Sequence, residues 1–184
     1  GSVWVFAEDG AVLVYCSRSL SLTRRLDSRA AMVKCTAVVG DRVWVADAAT
    51  GKITIYSPLK FKKVRRFELA KDTGTNKRSP PAINCMLPHG NFMWIGAAGN
   101  IYALDLVSAK LSGSWQAHEG AVSAICGHCS QVWSCGNSEI CVWSAEDGSL
   151  LKRMETHRPR TISLCATAQY VFCGTYDGHV LVWN

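Results

Sequence analysis

Nowhere does this chain hold the roughly 18 consecutive apolar residues that a bilayer crossing needs. Its first residues show no charged stretch leading into an apolar one, so no secretory leader is read there. Charge is sparse at 18%, and proline sparser, with five residues in 184. Beside an apolar share of 48%, that low charge excludes an expanded, disordered chain. The local signatures of common active sites are also missing: no nucleophile elbow, no phosphate-cradling glycine loop and no HExxH helix occurs. The five histidines (89, 118, 128, 157 and 179) are scattered, and the acids sit mostly in turns (Asp9, Asp41, Asp47, Asp147, Asp177). Nothing gathers an acid, a base and a nucleophile on one face, so no catalytic residue, metal or cofactor is expected.

What the chain does have is a repeat. Trp4, Trp44, Trp94, Trp133 and Phe172 recur at spacings of 40, 50, 39 and 39, each inside a short apolar run. A turn and a second apolar run follow every time, ending at Tyr15, Tyr56, Leu104, Trp143 and Trp183. A period near 40 made of paired strands is that of a propeller blade, a sheet too small to bury its own faces. A short apolar strand precedes four of the aromatic runs, with Val33, Ile83, Val122 and Ile162 in step. A charged, poorly alternating segment closes each of four repeats, as an outer edge strand does (SLTRRL, FKKVRRF, KLSGSW and SLLKRM). The count is eighteen strands: three, then four in each of three blades, then three. The blades are placed at 1–30 (partial), 31–70, 80–117, 118–156 and 157–184 (partial), with a basic insertion at 71–79. The fold class is therefore all-β, about four and a half four-stranded antiparallel blades, expected to belong to a larger propeller of about seven blades. A compact five-bladed ring is the alternative.

Residues 171–184 (VFCGTYDGHVLVWN) resemble the WD-repeat family, with an Asp-Gly turn and a closing Trp183-Asn184 in place of Trp-Asp. His157 stands where that family has its Gly-His histidine. Blade four is similar but altered, with His118, Trp143, and Asn137 in the turn. The resemblance implies a hydrogen-bonded chain of His157, Thr175, Asp177 and Trp183 in blade five, and a related one through His118 and Trp143. It gives these residues a structural role, satisfying buried polar groups beneath the loops. Blades one to three, whose turns or aromatics are degenerate, are expected to lack it. The Val-Trp-Val and Met-Trp-Ile strands also resemble propellers attached to guanine-nucleotide exchange factors, kinase-cascade scaffolds, some kinases and some inositol-polyphosphate phosphatases.

Nine cysteines are an odd number, and most fall inside strands, so they read as small buried hydrophobes in a reducing, cytoplasmic setting. Cys126-Gly-His-Cys129 mimics a disulfide-isomerase motif but lies between two strands. With Cys135 and Cys141 it mimics a zinc quartet, although those two belong to regular strands.

Charge supplies the functional lead. Residues 60–78 carry eight basic and two acidic residues, a net +6 that equals the net charge of the whole chain. Lys60, Lys62, Lys63, Arg65, Arg66, Lys71, Lys77 and Arg78 form the candidate patch, for an acidic protein segment or an anionic lipid. Nucleic acid is disfavoured, because no aromatic platform interleaves with these cations. The function read from the sequence is a non-catalytic protein-interaction or scaffold module of a larger intracellular signalling protein. The alternative is a membrane-surface module binding phosphoinositides through 60–78. Further blades, from the same chain or a second copy, are the other expected partners.

Overall fold

The computed structural model describes residues 1–7, 9–27, 30, 32–69, 81–158 and 160–184. It divides into two compact units, Gly1–Ala82 and Ile83–Asn184. Unit one holds a three-stranded sheet of β1 (Ser2–Phe6), β2 (Ala11–Cys16) and β3 (Leu22–Asp27). Beside it is a four-stranded sheet of β4 (Val33–Val39), β5 (Arg42–Asp47), β6 (Lys52–Ser57) and β7 (Lys62–Glu68). Unit two begins with β8 (Ile83–His89), β9 (Phe92–Ala97), β10 (Asn100–Asp105) and β11 (Leu111–Gln116). Its second sheet is β12 (Ala124–His128), β13 (Gln131–Gly136), β14 (Glu139–Ser144) and β15 (Leu150–Glu155). Its third is β16 (Thr161–Ala166), β17 (Val171–Thr175) and β18 (Val180–Trp183). Every pairing is antiparallel between chain neighbours, so each sheet is a meander.

Burial follows position within a sheet. In unit two the central strands β9, β10, β13 and β14 are buried along nearly their whole length. Sheets pack on both of their faces, so these strands read as continuous apolar runs, whereas β15 at the edge is exposed almost throughout. One face of the β12–β15 sheet meets Trp94, Ile101 and Ala117 through Val132, Cys141 and Trp143. The other face meets Val171 and Cys173 through Cys126, Cys135, Ile140 and Val142.

The poor alternation of the outer strands has a single cause. Register shifts fall between Val14 and Tyr15, Ile55 and Tyr56, Ala103 and Leu104, and Val142 and Trp143. Each leaves the second or third residue of the outer segment unpaired: Thr23, Val64, Ser112 and Leu151. A bulge at that place twists the edge and flips the face of every residue beyond it, so a period of two cannot be read through it.

Two expectations need correction. Ile162 is not the buried residue in step with Val33 and Ile83: Thr161 holds that place at 0% exposure, and Ile162 is the exposed residue of a bulge. Val122 belongs to no strand, because its amide bonds to Ala98 O in the neighbouring sheet, and β12 starts two residues later. In the β1–β3 sheet Val3 and Val5 are exposed while Val12 and Val14 are buried, and in the β16–β18 sheet Val180 and Val182 are exposed.

Candidate functional site

A buried polar group of unit two hangs beneath the β13–β14 turn. His118 Nε2 lies 3.0 Å from Ser134 Oγ, and Trp143 Nε1 donates to the same oxygen at 3.0 Å. Ser134 is fully buried, His118 is 2% exposed and Trp143 1%. One hydroxyl therefore serves two side chains from two directions and ties the segment after β11 to β13 and β14. His118 Nδ1 faces the Glu139 carboxylate at 3.7 Å, and Arg153 donates to that same carboxylate oxygen at 2.8 Å. Burial pushes the His118 pKa down to about 4, opposed by the charge of Glu139, so the imidazole is neutral at pH 7. His118 and Trp143 thus meet through Ser134. Its signal in the sequence is a hydroxyl one residue beyond the Trp133 of the apolar run.

The third sheet of unit two arranges its candidates differently. Thr175 Oγ1 donates to Asp177, and Asp177 also pairs with His179 at 3.2 Å and Arg158 at 3.5 Å. The Thr175 hydroxyl first, and then His179 and Arg158, hold the Asp177 carboxyl below the usual range. His157 is exposed, with a left-handed backbone (φ 52°), and lies outside this group. Trp183 instead packs against Trp133, ring centroids 6.1 Å apart. The physical reason is that Cys173 occupies the register position that Ser134 holds one sheet earlier, and a thiol is a weak bridge between an imidazole and an indole. The third sheet keeps its two polar partners at the turn and loses the other two.

Unit one carries a polar cluster that the sequence reading did not foresee. Asp47 is 6% exposed and accepts from Met32 N, Ala49 N and Thr50 Oγ1, which pins the chain before β4 to the β5–β6 turn. A carboxylate accepting backbone amides does the same work as the His118 chain with other chemistry.

The basic patch lies on β7 and the turn before it. Lys60, Lys62, Lys63, Arg65 and Arg66 are all exposed. Lys71, Lys77, Arg78 and the 71–79 insertion lie outside the described residues. Lys62 and Arg65 pair with Ser57 and Ile55, while Lys63 and Arg66 pair with Tyr56 and Thr54, so each face of β7 carries two cations. The turn is anchored by Phe61, whose ring stacks on Trp4 at 5.9 Å and lies 4.5 Å beneath the Arg24 guanidinium. β7 is the last strand of its sheet, and among the described residues no strand pairs with its outer edge.

The four cysteines of the zinc-like spacing do not share one face. Cys126 is buried in β12, Cys129 is exposed in the turn after it, and Cys135 and Cys141 face opposite clusters. Among the described residues no group of three or more ligating side chains is placed to hold a metal ion. Burial pushes the thiols of Cys126 up to about 12 and Cys141 up to about 11, far from thiolate chemistry at neutral pH.

No protein-family model matches the sequence, and no curated protein matches it. Solved structures do. The WD40 β-propeller domain of Doa1 superposes with a TM-score of 0.79 at 19% identity, over 100% of this chain and 60% of that one. The WD40 repeats of RRP9 give 0.72 at 20% identity, over 82% of this chain and 47% of theirs. The computationally designed Ika4 protein gives 0.70 at 22% identity, over 84% of this chain and 91% of its own. The chain thus spans 60% of the Doa1 domain's length. The meander sheets and these superpositions establish one fold: the chain folds as WD-repeat β-propeller blades.

Proposed function

We propose that this chain is a non-catalytic protein-interaction module, a scaffold segment that receives an extended acidic stretch of a partner along the open edge of β7. The observation that carries the reading is the split of cations over both faces of that edge strand. A strand added to β7 would send alternate side chains to either face, so alternate carboxylates would meet Lys62 and Arg65 on one side and Lys63 and Arg66 on the other. The same cations repel a second basic edge, which keeps β7 from pairing with copies of itself. A phosphoinositide surface is the competing reading. It needs its cations on one side, and the β7 register does not favour that. Nine unbridged cysteines support a reducing, cytoplasmic setting.

The test uses the full chain and a short peptide of consecutive glutamates, whose side chains an extended backbone sends alternately to the two faces. Its binding should weaken severalfold as salt rises from about 0.05 to 0.5 M. Lys62→Glu with Arg65→Glu, and separately Lys63→Glu with Arg66→Glu, should each weaken it. No peptide binding at low salt would sink the reading. Loss confined to one pair, with tight binding to phosphoinositide vesicles, would favour the membrane surface.

Further blades, from the same chain or a second copy, are the partners we propose for the exposed apolar sheet faces. Val180 and Val182 are 64% and 52% exposed on a face whose strands also carry Phe172. Sedimentation equilibrium of the 184-residue chain should show association that Val180→Ser with Val182→Ser reduces. A monomer at every concentration would count against it.

A further inference from the structure

Two clefts adjoin on unit two, at the end of the sheets away from His118. The wider, about 380 Å³, is bounded by His89, Asn91 and Phe92 on one side and Cys129, Ser130 and Glu146 on the other. The narrower, about 160 Å³, is bounded by Phe92, Trp94, Trp115, Glu146 and Asp147. Phe92 and Glu146 belong to both, so the two are one groove with a side slot.

The groove is held rigid. His89 Nε2 bonds to Cys129 O at 2.9 Å across its wide part. In the slot, Trp115 stacks on Trp94 with centroids 5.8 Å apart and an interplanar angle of 21°. A Cβ at Gly148 would stand 2.2 Å from the Trp115 ring, and one at Gly113 would stand 2.3 Å from it. Leu20, Phe61 and Ala109 take up positive φ at the matching turns, so backbone conformation alone does not demand glycine at 148; the ring does.

Size and charge narrow the occupant. A slot of about 160 Å³ is below the range of about 300–1,000 Å³ for cofactor or drug-sized ligands and admits a single side chain. Its walls are aromatic and its only charges are the exposed carboxylates of Glu146 and Asp147. Asp147 already accepts from Ser149, which leaves Glu146 as the principal acceptor. Trp94 is fully buried and its Nε1 has no partner. In two other sheets the equivalent indole donates to the residue two places earlier, Trp4 to Ser2 and Trp133 to Gln131. In this sheet that place is taken by Phe92, which leaves the buried Trp94 indole N–H without an acceptor.

We propose that the slot receives an arginine side chain from a partner peptide whose backbone crosses the wider cleft. A guanidinium is flat enough to stack on Phe92 and Trp115, and its forked N–H groups suit the Glu146 carboxylate better than a point-like ammonium does. This site lies in unit two, carries charge opposite to that of β7, and stands or falls independently of the β7 reading.

The experiment is a titration of the whole chain with an acetylated, amidated Gly-Gly-Arg-Gly-Gly peptide, following the indole N–H resonances of Trp94 and Trp115. Both should shift and saturate. Replacing the arginine with citrulline, which keeps the shape and removes the charge, should weaken binding about tenfold. Glu146→Gln, on an exposed turn, should weaken it similarly while leaving the melting temperature unchanged. The proposal is overturned by the absence of any shift up to about 10 mM peptide, where only affinities weaker than millimolar would escape. It is equally overturned if citrulline or glutamate peptides bind as well as arginine, or if Glu146→Gln changes nothing.

Discussion

Ser134→Ala should cost about 3 kcal/mol of stability, more than any other single methyl-sized change in unit two. The hydroxyl it removes is the partner both of His118 Nε2 and of Trp143 Nε1, and no water can replace it at a position with 0% exposure. Two buried polar groups would be stranded, each costing about 1–3 kcal/mol, and the cavity left by one oxygen is too small to relax around them. Ser134→Cys should cost less, since the thiol fills the space and accepts weakly, as Cys173 does in the next sheet. Equilibrium urea unfolding of the three proteins measures this directly. Equal stability of Ser134→Ala and the parent would remove the His118 chain from the list of what holds the blades together.

The second large effect is on pH. His118 titrates near 4 when folded and near 6.5 in an unstructured chain. Below pH 6.5 the unfolded chain takes up a proton that the folded one refuses, so stability falls as pH drops from 6.5 toward 4 and this contribution then levels off. The difference corresponds to about 3 kcal/mol across that window. Burial is the larger cause; Glu139 opposes it, and Arg153, clamped on Glu139, partly cancels that opposition. The parent should therefore lose about 3 kcal/mol more than His118→Gln between pH 7 and pH 4. Parallel pH profiles for the two proteins would mean that the imidazole is protonated, or solvated, in the fold.

The blades were legible in the sequence because their central strands are buried on both faces. VWSC and ICVW, or MWIG and IYAL, form continuous apolar runs that recur with the period of the sheets. The outer strands were not legible in register. The residues left unpaired at Thr23, Val64, Ser112 and Leu151 share no side-chain type, so the bulge belongs to the geometry of the edge and not to a motif. The polar chain was half legible. His118 and Trp143 follow from spacing, but the bridging hydroxyl is one serine among many until β13 aims it between them. Conversely His157 and Trp183 hold the right spacing without a bridge, because Cys173 stands where an oxygen is needed. The aromatic slot had no sequence signature. Trp115 and Gly113 belong to one outer strand and Gly148 to a turn of the next sheet, and only the packing of two sheets brings Gly148 to the ring.

The interaction role is tested most directly by hydrogen–deuterium exchange of the full chain with and without the consecutive-glutamate peptide. The account predicts new protection concentrated in residues 62–68, where the edge amides of β7 gain partners, and none in the β1–β3 sheet. Unchanged exchange along β7, with protection elsewhere or nowhere, would contradict it.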